Sequence, residues 1–193
     1  MKTILLLLIS ATLMAATETT YRADVATSNI HWLGKKTTGQ HDGDVKLKSG
    51  YLKMDDKKFV AGEFVIDMNT ITCTDIKEAE DAQHLVDHLK NEDFFNTAGF
   101  PVATLRLKSL QPGKAAANTY DAVADLTIKG ITNEIKFPVV LEKNANGATA
   151  TADITIDRTK WNVVYKSKTV FSTLGDKFIY DDMYLTVKLA LKQ

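Results

Sequence analysis

Two histidines four residues apart, His84 and His88, with Asp87 between them, have a spacing that could do chemistry. On a helix such a pair lies on one face, as a zinc or copper site requires. The metalloprotease form of the motif also needs a glutamate directly after the first histidine, where this chain has Leu85, so hydrolytic zinc chemistry is disfavoured. Surface or packing histidines are the plainer account, and only the fold could bring His31 and His41 to the same place. The single cysteine, Cys73, has no partner for an internal disulfide and no nucleophile signature around it, so a buried structural thiol is expected. No G-x-S-x-G and no Gly-rich phosphate loop occurs. Arg158 and Trp161, in Ile156-Asp157-Arg158-Thr159-Lys160-Trp161, fall at the end of a strand. There the arginine could meet an anionic headgroup, or be held by a neighbouring carboxylate with the aromatic packed beside it.

These groups must be placed by elements that alternate apolar and polar residues, the period that puts every second side chain on one face of a strand. Trp32 shares a parity with Ile30, Val45 with Leu47, and Phe64 with Ile66 and Met68. Further on, Leu126 pairs with Ile128, Ile135 and Phe137 with Val139, and Ile154 with Ile156; Leu185, Val187 and Leu189 close the series. Pro138 falls on the opposite parity, and its missing N–H predicts an edge, bulge or kink. Turn residues separate the runs, notably Asp55-Asp56-Lys57, Lys129-Gly130 and Asn144-Ala145-Asn146-Gly147. About eight short strands so joined predict an all-β, antiparallel up-and-down barrel. One stretch departs from alternation: Asp75 to Lys90 carries Ile76, Ala79, Leu85, Val86 and Leu89 at helical spacing, with Asp75 and Glu78 set as a capping box. It predicts one inserted α-helix, followed by Phe94, Phe95 and Phe100, which could close a barrel end or staple the helix to it.

The N-terminus reads as a secretory signal peptide over residues 1–16, with Lys2 before an apolar run from Ile4 to Ile9 and small residues to Ala16. The remainder, 17–193, suits one domain that is periplasmic or secreted, without stable membrane insertion. Lys2 falls in the leader, which leaves 23 basic against 24 acidic residues and a formal charge of −1, a balance that disfavours a nucleic-acid partner. A homodimer is compatible with the sequence.

Several stretches together resemble the YceI-like family of polyisoprenoid-binding, lipocalin-like proteins. They are Ser28-Asn29-Ile30-His31-Trp32-Leu33-Gly34-Lys35-Lys36, Gly62-Glu63-Phe64-Val65-Ile66-Asp67-Met68, His88-Leu89-Lys90-Asn91-Glu92-Asp93-Phe94-Phe95, Phe100-Pro101-Val102-Ala103-Thr104, Leu126-Thr127-Ile128-Lys129-Gly130-Ile131-Thr132, Ile156-Asp157-Arg158, and Leu174-Gly175-Asp176-Lys177-Phe178-Ile179-Tyr180-Asp181-Asp182. Asn91 stands where the family often has serine, and Asn162 where many members have glycine. The resemblance implies an extended antiparallel barrel with a long isoprenoid or similar lipid in a central tunnel, exported to the periplasm. It implies no catalytic residue and no cofactor beyond the lipid. Strands near ten residues give a barrel about 30 Å tall, suited to an elongated ligand. The lining expected from parity is Trp32, Val45, Leu47, Phe64, Ile66, Met68, Leu126, Ile128, Phe137, Val139 and Ile156, with Arg158 and Trp161 at the rim. The competing expectations are a metal protein built on His84 and His88, and a barrel filled by its own side chains that serves as an interaction module.

Overall fold

Alternation buries one face of each strand, and short turns return each strand beside its predecessor. The computed structural model describes residues 18–193 apart from 56, 57, 115, 172, 174 and 176; the expected signal peptide and the turn residues Asp56-Lys57 lie outside these. The strands are β1 (Glu18–Ala23), β2 (Asn29–Lys36), β3 (Gly39–Asp55), β4 (Lys58–Asp67), β5 (Val102–Pro112), β6 (Thr119–Ile128), β7 (Ile131–Asn144), β8 (Gly147–Asp157) and β9 (Ile179–Lys192), with helix α1 (Ala79–Lys90) between β4 and β5. They form one antiparallel sheet in the order β1-β3-β2-β9-β8-β7-β6-β5-β4, closed by β3 against β4. Both β1 and β2 lie between β3 and β9, so they are two parts of one stave and the barrel has eight positions, the antiparallel architecture expected. The break between them is sealed by hydrogen bonds: Asp24 N–H donates to the Ala190 carbonyl at 2.8 Å, and the buried Ser28 hydroxyl accepts from Ala190 N–H at 3.1 Å.

The β3–β4, β5–β6 and β7–β8 connections lie at one end, here the lower end. The β2–β3 and β6–β7 turns, α1 and the β8–β9 connection lie at the upper end. The β6–β7 reversal has positive φ at both Lys129 (50°) and Gly130 (72°), the two-residue turn whose twist suits a hairpin.

Strict alternation does not run the full length of every strand. In β3, Val45 and Leu47 are buried, but beyond a register shift between Leu47 and Ser49 the buried residues are Leu52 and Met54, of opposite parity. In β5 the same shift between Leu107 and Ser109 moves the inward parity from Ala103 to Leu110. A β-bulge adds one residue and swaps the faces, and both bulges follow a Lys-Ser pair, Lys48-Ser49 and Lys108-Ser109.

The helix begins later than the capping box predicts. It starts at Ala79 with Glu78 as N-cap, and no side chain caps it. Asp75 is committed elsewhere: its carboxylate accepts from Asp42 N–H (3.1 Å), from His41 Nδ1–H (2.9 Å) and from the Cys73 thiol (3.2 Å). Two tertiary donors and the neighbouring thiol outcompete one local cap. Lys36 donates to His41 Nε2 at 3.0 Å, which fixes the imidazole tautomer that serves Asp75.

Residues 70–74 thereby lie along the upper part of β3, with Thr72 N–H and Thr74 N–H donating to the Asp44 and Asp42 carbonyls, each at 2.9 Å. Burial pushes the Asp44 carboxyl up, but hydrogen bonds from Asn29 and His31 outweigh it, so its pKa lies below the ordinary aspartate value. Asp75 is lowered in the same way, burial being outweighed by Asp42 N–H, His41 and Cys73. A lowered carboxylate contributes stability in full above its unfolded pKa and loses it as pH falls through the folded one. Acid below about pH 4 is therefore expected to release this segment first. In hydrogen exchange, Thr72 and Thr74 should lose protection while the β6–β7 ladder keeps its own; simultaneous loss would show that the carboxylates do not anchor the segment.

Two ladders are short. β4 and β5 share five residue pairs, Glu63–Asp67 with Val102–Arg106, at the upper end only. β7 and β8 share five, Val140–Asn144 with Gly147–Thr151, at the lower end only. By contrast β6–β7 has ten pairs and β8–β9 eleven. Pro138 lies just past the point where β7 leaves β8, the edge its missing N–H predicts.

Candidate functional site

Inward residues of the barrel do not all meet across the lumen. They enclose a cavity of about 210 Å³. The barrel is therefore not filled by its own side chains. A cavity of about 150 Å³ holds one benzene, so by the same measure there is room for about eight carbon atoms.

Ten of the expected lining residues reach this cavity: Trp32 from β2, Val45 and Leu47 from β3, Phe64 and Ile66 from β4, Met68 just beyond it, Leu126 and Ile128 from β6, and Phe137 and Val139 from β7. Several lining residues, among them Ile66, Phe137 and Val139, are only half-buried, because one side faces open lumen rather than packed atoms. Ile156 is a correction: it is 3% exposed but does not line the cavity, being enclosed by packing near the β8–β9 connection. Trp161 is a second. It lies on the 3-10 turn Arg158–Trp161, is 1% exposed, and its indole N–H donates 2.9 Å to the Leu126 carbonyl, so it is a wedge between β6 and the turn and not a rim residue.

Parity alone misses other lining residues. Leu52 and Leu110 line the cavity from beyond the two bulges, and the signal for them is the Lys-Ser pair that precedes each switch of phase. Leu89 of α1, Ile71, Phe94 and Phe95 form part of the cavity's upper boundary. Phe94 and Phe95 thus close the end, while the more exposed Phe100 packs over Gly130 outside. The lower end is packed by Tyr21, Met54, Leu141 and Leu191, all buried.

Polar lining groups are few: Thr151, Arg158, Tyr180 and Asp182. Tyr180 and Asp182 alternate with the inward Ile179 and Met183, so they border the cavity at the start of β9 while their side chains are exposed outside it, at the rim of the mouth. Arg158 lines the cavity but is 5% exposed and largely committed. Its Nε–H donates to the Tyr180 carbonyl (3.1 Å), Nη1–H to the Val163 carbonyl (2.6 Å), and Nη2–H to the Ile179 carbonyl (3.1 Å) and the Asp181 carboxylate (3.5 Å). The carboxylate-held arrangement is the one observed, joined by three backbone carbonyls the sequence could not announce. Asn162, next to this turn, has φ 56° and ψ 34°, a left-handed conformation that asparagine tolerates better than most residues.

The histidine pair separates. His84 is exposed and lies 3.9 Å from Glu80, whereas His88 Nε2 lies 3.1 Å from Asp93 and its ring packs edge-on to Phe94 and Tyr165. Among the described residues no three His, Cys, Asp or Glu groups converge as metal ligands. Cys73 is half-buried, and burial followed by its contact with the Asp75 carboxylate pushes the thiol up, away from the thiolate form.

A family model described as the YceI-like domain matches residues 21–191. A UPF0312 protein of Staphylococcus aureus is 38% identical over 101 residues, covering 49% of this chain and 54% of the relative. Protein YceI of Escherichia coli is 33% identical over 105 residues, covering 54% of this chain and 49% of the relative. The matched region thus spans about half the length of these curated relatives. Among solved structures, Burkholderia cenocepacia BcnA superposes with a TM-score of 0.68 at 20% identity, over 89% of this chain and 99% of that one. A polyisoprenoid binding domain from Saccharophagus degradans, implicated in plant cell wall breakdown, gives 0.64 at 16% identity, over 89% and 97%. At these identities the likeness speaks to fold.

Proposed function

The chain belongs to the YceI-like family, and on that premise we propose that it is a binding protein whose barrel holds the apolar tail of a long isoprenoid or similar lipid, for transport or storage. The observation that carries the reading is the enclosed cavity of about 210 Å³ with its nearly all-apolar lining. Burial of a tail is favourable by about 0.8 kcal/mol per methylene, so apolar contact can hold the ligand without a dedicated headgroup site. Room for about eight carbons corresponds to one or two isoprene units; a longer tail has to project from the mouth or displace side chains.

Binding without catalysis fits the lining. Its ionisable groups are Arg158, held by backbone carbonyls, and Tyr180 and Asp182 at the mouth. The polyisoprenoid binding neighbour adds weight to the ligand class. The leader-like N-terminus supports a carrier of the periplasm or of the outside of the cell.

The test is mass spectrometry of an organic extract of protein purified without detergent, set against a soluble control from the same cells. A stoichiometric isoprenoid or other long-chain lipid is expected. An empty extract, together with failure to take up added farnesol, would overturn the reading.

A further inference from the structure

The surface beside the tunnel mouth exposes apolar side chains that the core does not use. Val170 is 48% exposed, Phe171 44% and Tyr180 48%. They are brought together because the connection from the 3-10 turn Arg158–Trp161 to β9 folds back along the start of β9: Ser167 bridges Ile179, Ile179 N–H donates to the Lys166 carbonyl at 2.9 Å, and Thr169 hydrogen-bonds to Asp181. Phe178 packs edge-on to Tyr180 at 5.1 Å. Thr37 N–H donates to the Phe178 carbonyl at 3.3 Å, which draws in the β2–β3 turn.

Lysines stand at the height of these rings. Lys168 Nζ lies 4.8 Å from the Phe178 ring centroid, Lys166 Nζ 5.3 Å from Tyr165, and Lys35 Nζ 4.5 Å from Tyr184. From residue 159 to 180 the sequence has four lysines (160, 166, 168 and 177) against one acidic residue, Asp176. Asp181 and Asp182 follow: Asp181 is engaged by Arg158 and Thr169, and Asp182 is exposed at the rim, so over residues 159–182 four lysines stand against three aspartates. Apolar and aromatic tips among cations are suited to the boundary between headgroups and acyl chains of an anionic bilayer, where rings enter and ammonium groups meet phosphate.

We propose that Val170, Phe171, Phe178 and Tyr180, with Lys35, Lys166 and Lys168, form a face that docks reversibly on the surface of an anionic lipid bilayer and sets the tunnel mouth against it. The patch adjoins the tunnel, because the exposed Tyr180 directly follows Ile179 of the lining. Its use, loading or unloading a tail without passage through water, rests on the lipid-binding reading above. The docking itself does not.

The test is co-flotation of the purified protein with phosphatidylcholine vesicles and with vesicles that also contain phosphatidylglycerol, alongside separate uptake of farnesol in solution. Binding is expected on the anionic vesicles only and is expected to weaken as salt rises. Lys166→Ala with Lys168→Ala should reduce it about 30-fold, roughly fivefold per lysine, and Val170→Ser with Phe171→Ser should reduce it comparably. Both variants should keep the circular dichroism spectrum and farnesol uptake of the parent. Absence of flotation on anionic vesicles, or equal flotation of both variants, would overturn the docking face even with farnesol uptake intact, and would leave a protein partner for the patch. Normal flotation that the variants abolish, with no farnesol uptake by any form, supports the docking face and removes the tunnel reading instead.

Discussion

Replacing Arg158 with methionine is expected to lower the melting temperature by roughly 10 °C, the shift that a loss of about 3–5 kcal/mol gives in a domain of this size. The side chain has similar reach but no donors, so the carbonyls of Val163, Tyr180 and Ile179 and the carboxylate of Asp181 all lose a partner beneath a surface where the arginine itself is only 5% exposed. Leaving buried acceptors unpaired costs more than the bonds are worth net. Arg158→Lys should recover little, because three donors on a flexible stem cannot reproduce a planar fork that spans 163 and 179–181. Thermal melts of the three proteins decide it: a methionine variant within about 1 kcal/mol of the parent would mean that these contacts are incidental.

The second large effect concerns the lumen. Ala152 lines the cavity from β8, opposite Val187 on β9, and is half-buried. Ala152→Phe adds six carbons to a space with room for about eight, so a bound tail should lose about 5 kcal/mol of burial at most. Uptake is expected to weaken at least tenfold. Stability should hold or rise, since the ring fills space in place of leaving a void. Thr155→Phe puts the same ring on the outward parity of the same strand, where Thr155 is exposed, and should leave uptake unchanged. If the two variants bind equally well, the tail does not lie in the lumen.

Much of this was legible in the sequence. β6 alternates without interruption, so Leu126 and Ile128 were placed from their spacing alone, and Lys129-Gly130 and Asn144 to Gly147 gave their hairpins by turn chemistry. Leu52, Met54 and Leu110 were hidden because a bulge reverses parity in mid-strand, and periodicity assumes one phase per strand. The early helix start failed because a capping box is a local signal, while Asp75 is held by His41 and Asp42, more than 30 residues away in the chain. Arg158 could be marked as unusual, but its acceptors are backbone carbonyls, which carry no residue signature. Trp161 looked like a rim aromatic for the same reason: its partner is the Leu126 carbonyl, a group every residue possesses.

The two short ladders change how the wall can deform. Strands β5, β6 and β7 are bound to one another by long ladders, but ladders join them to the remaining staves only near diagonally opposite corners, by β4 above and β8 below; at the upper β7–β8 seam the ties are side-chain hydrogen bonds from Asn133 to the Lys160 carbonyl, Lys129 to the Asn162 carbonyl and Trp161 to the Leu126 carbonyl. Such a panel resembles a shutter hung at two opposite corners. A small rotation about that diagonal would widen one seam without breaking a ladder bond, resisted by those side-chain hydrogen bonds and by packing such as Leu107 over Gly62. The girth of the lumen is thus set by side chains that cross the seams and not by the ladders, which would let one barrel adjust to contents of different thickness while its backbone ladders stay whole.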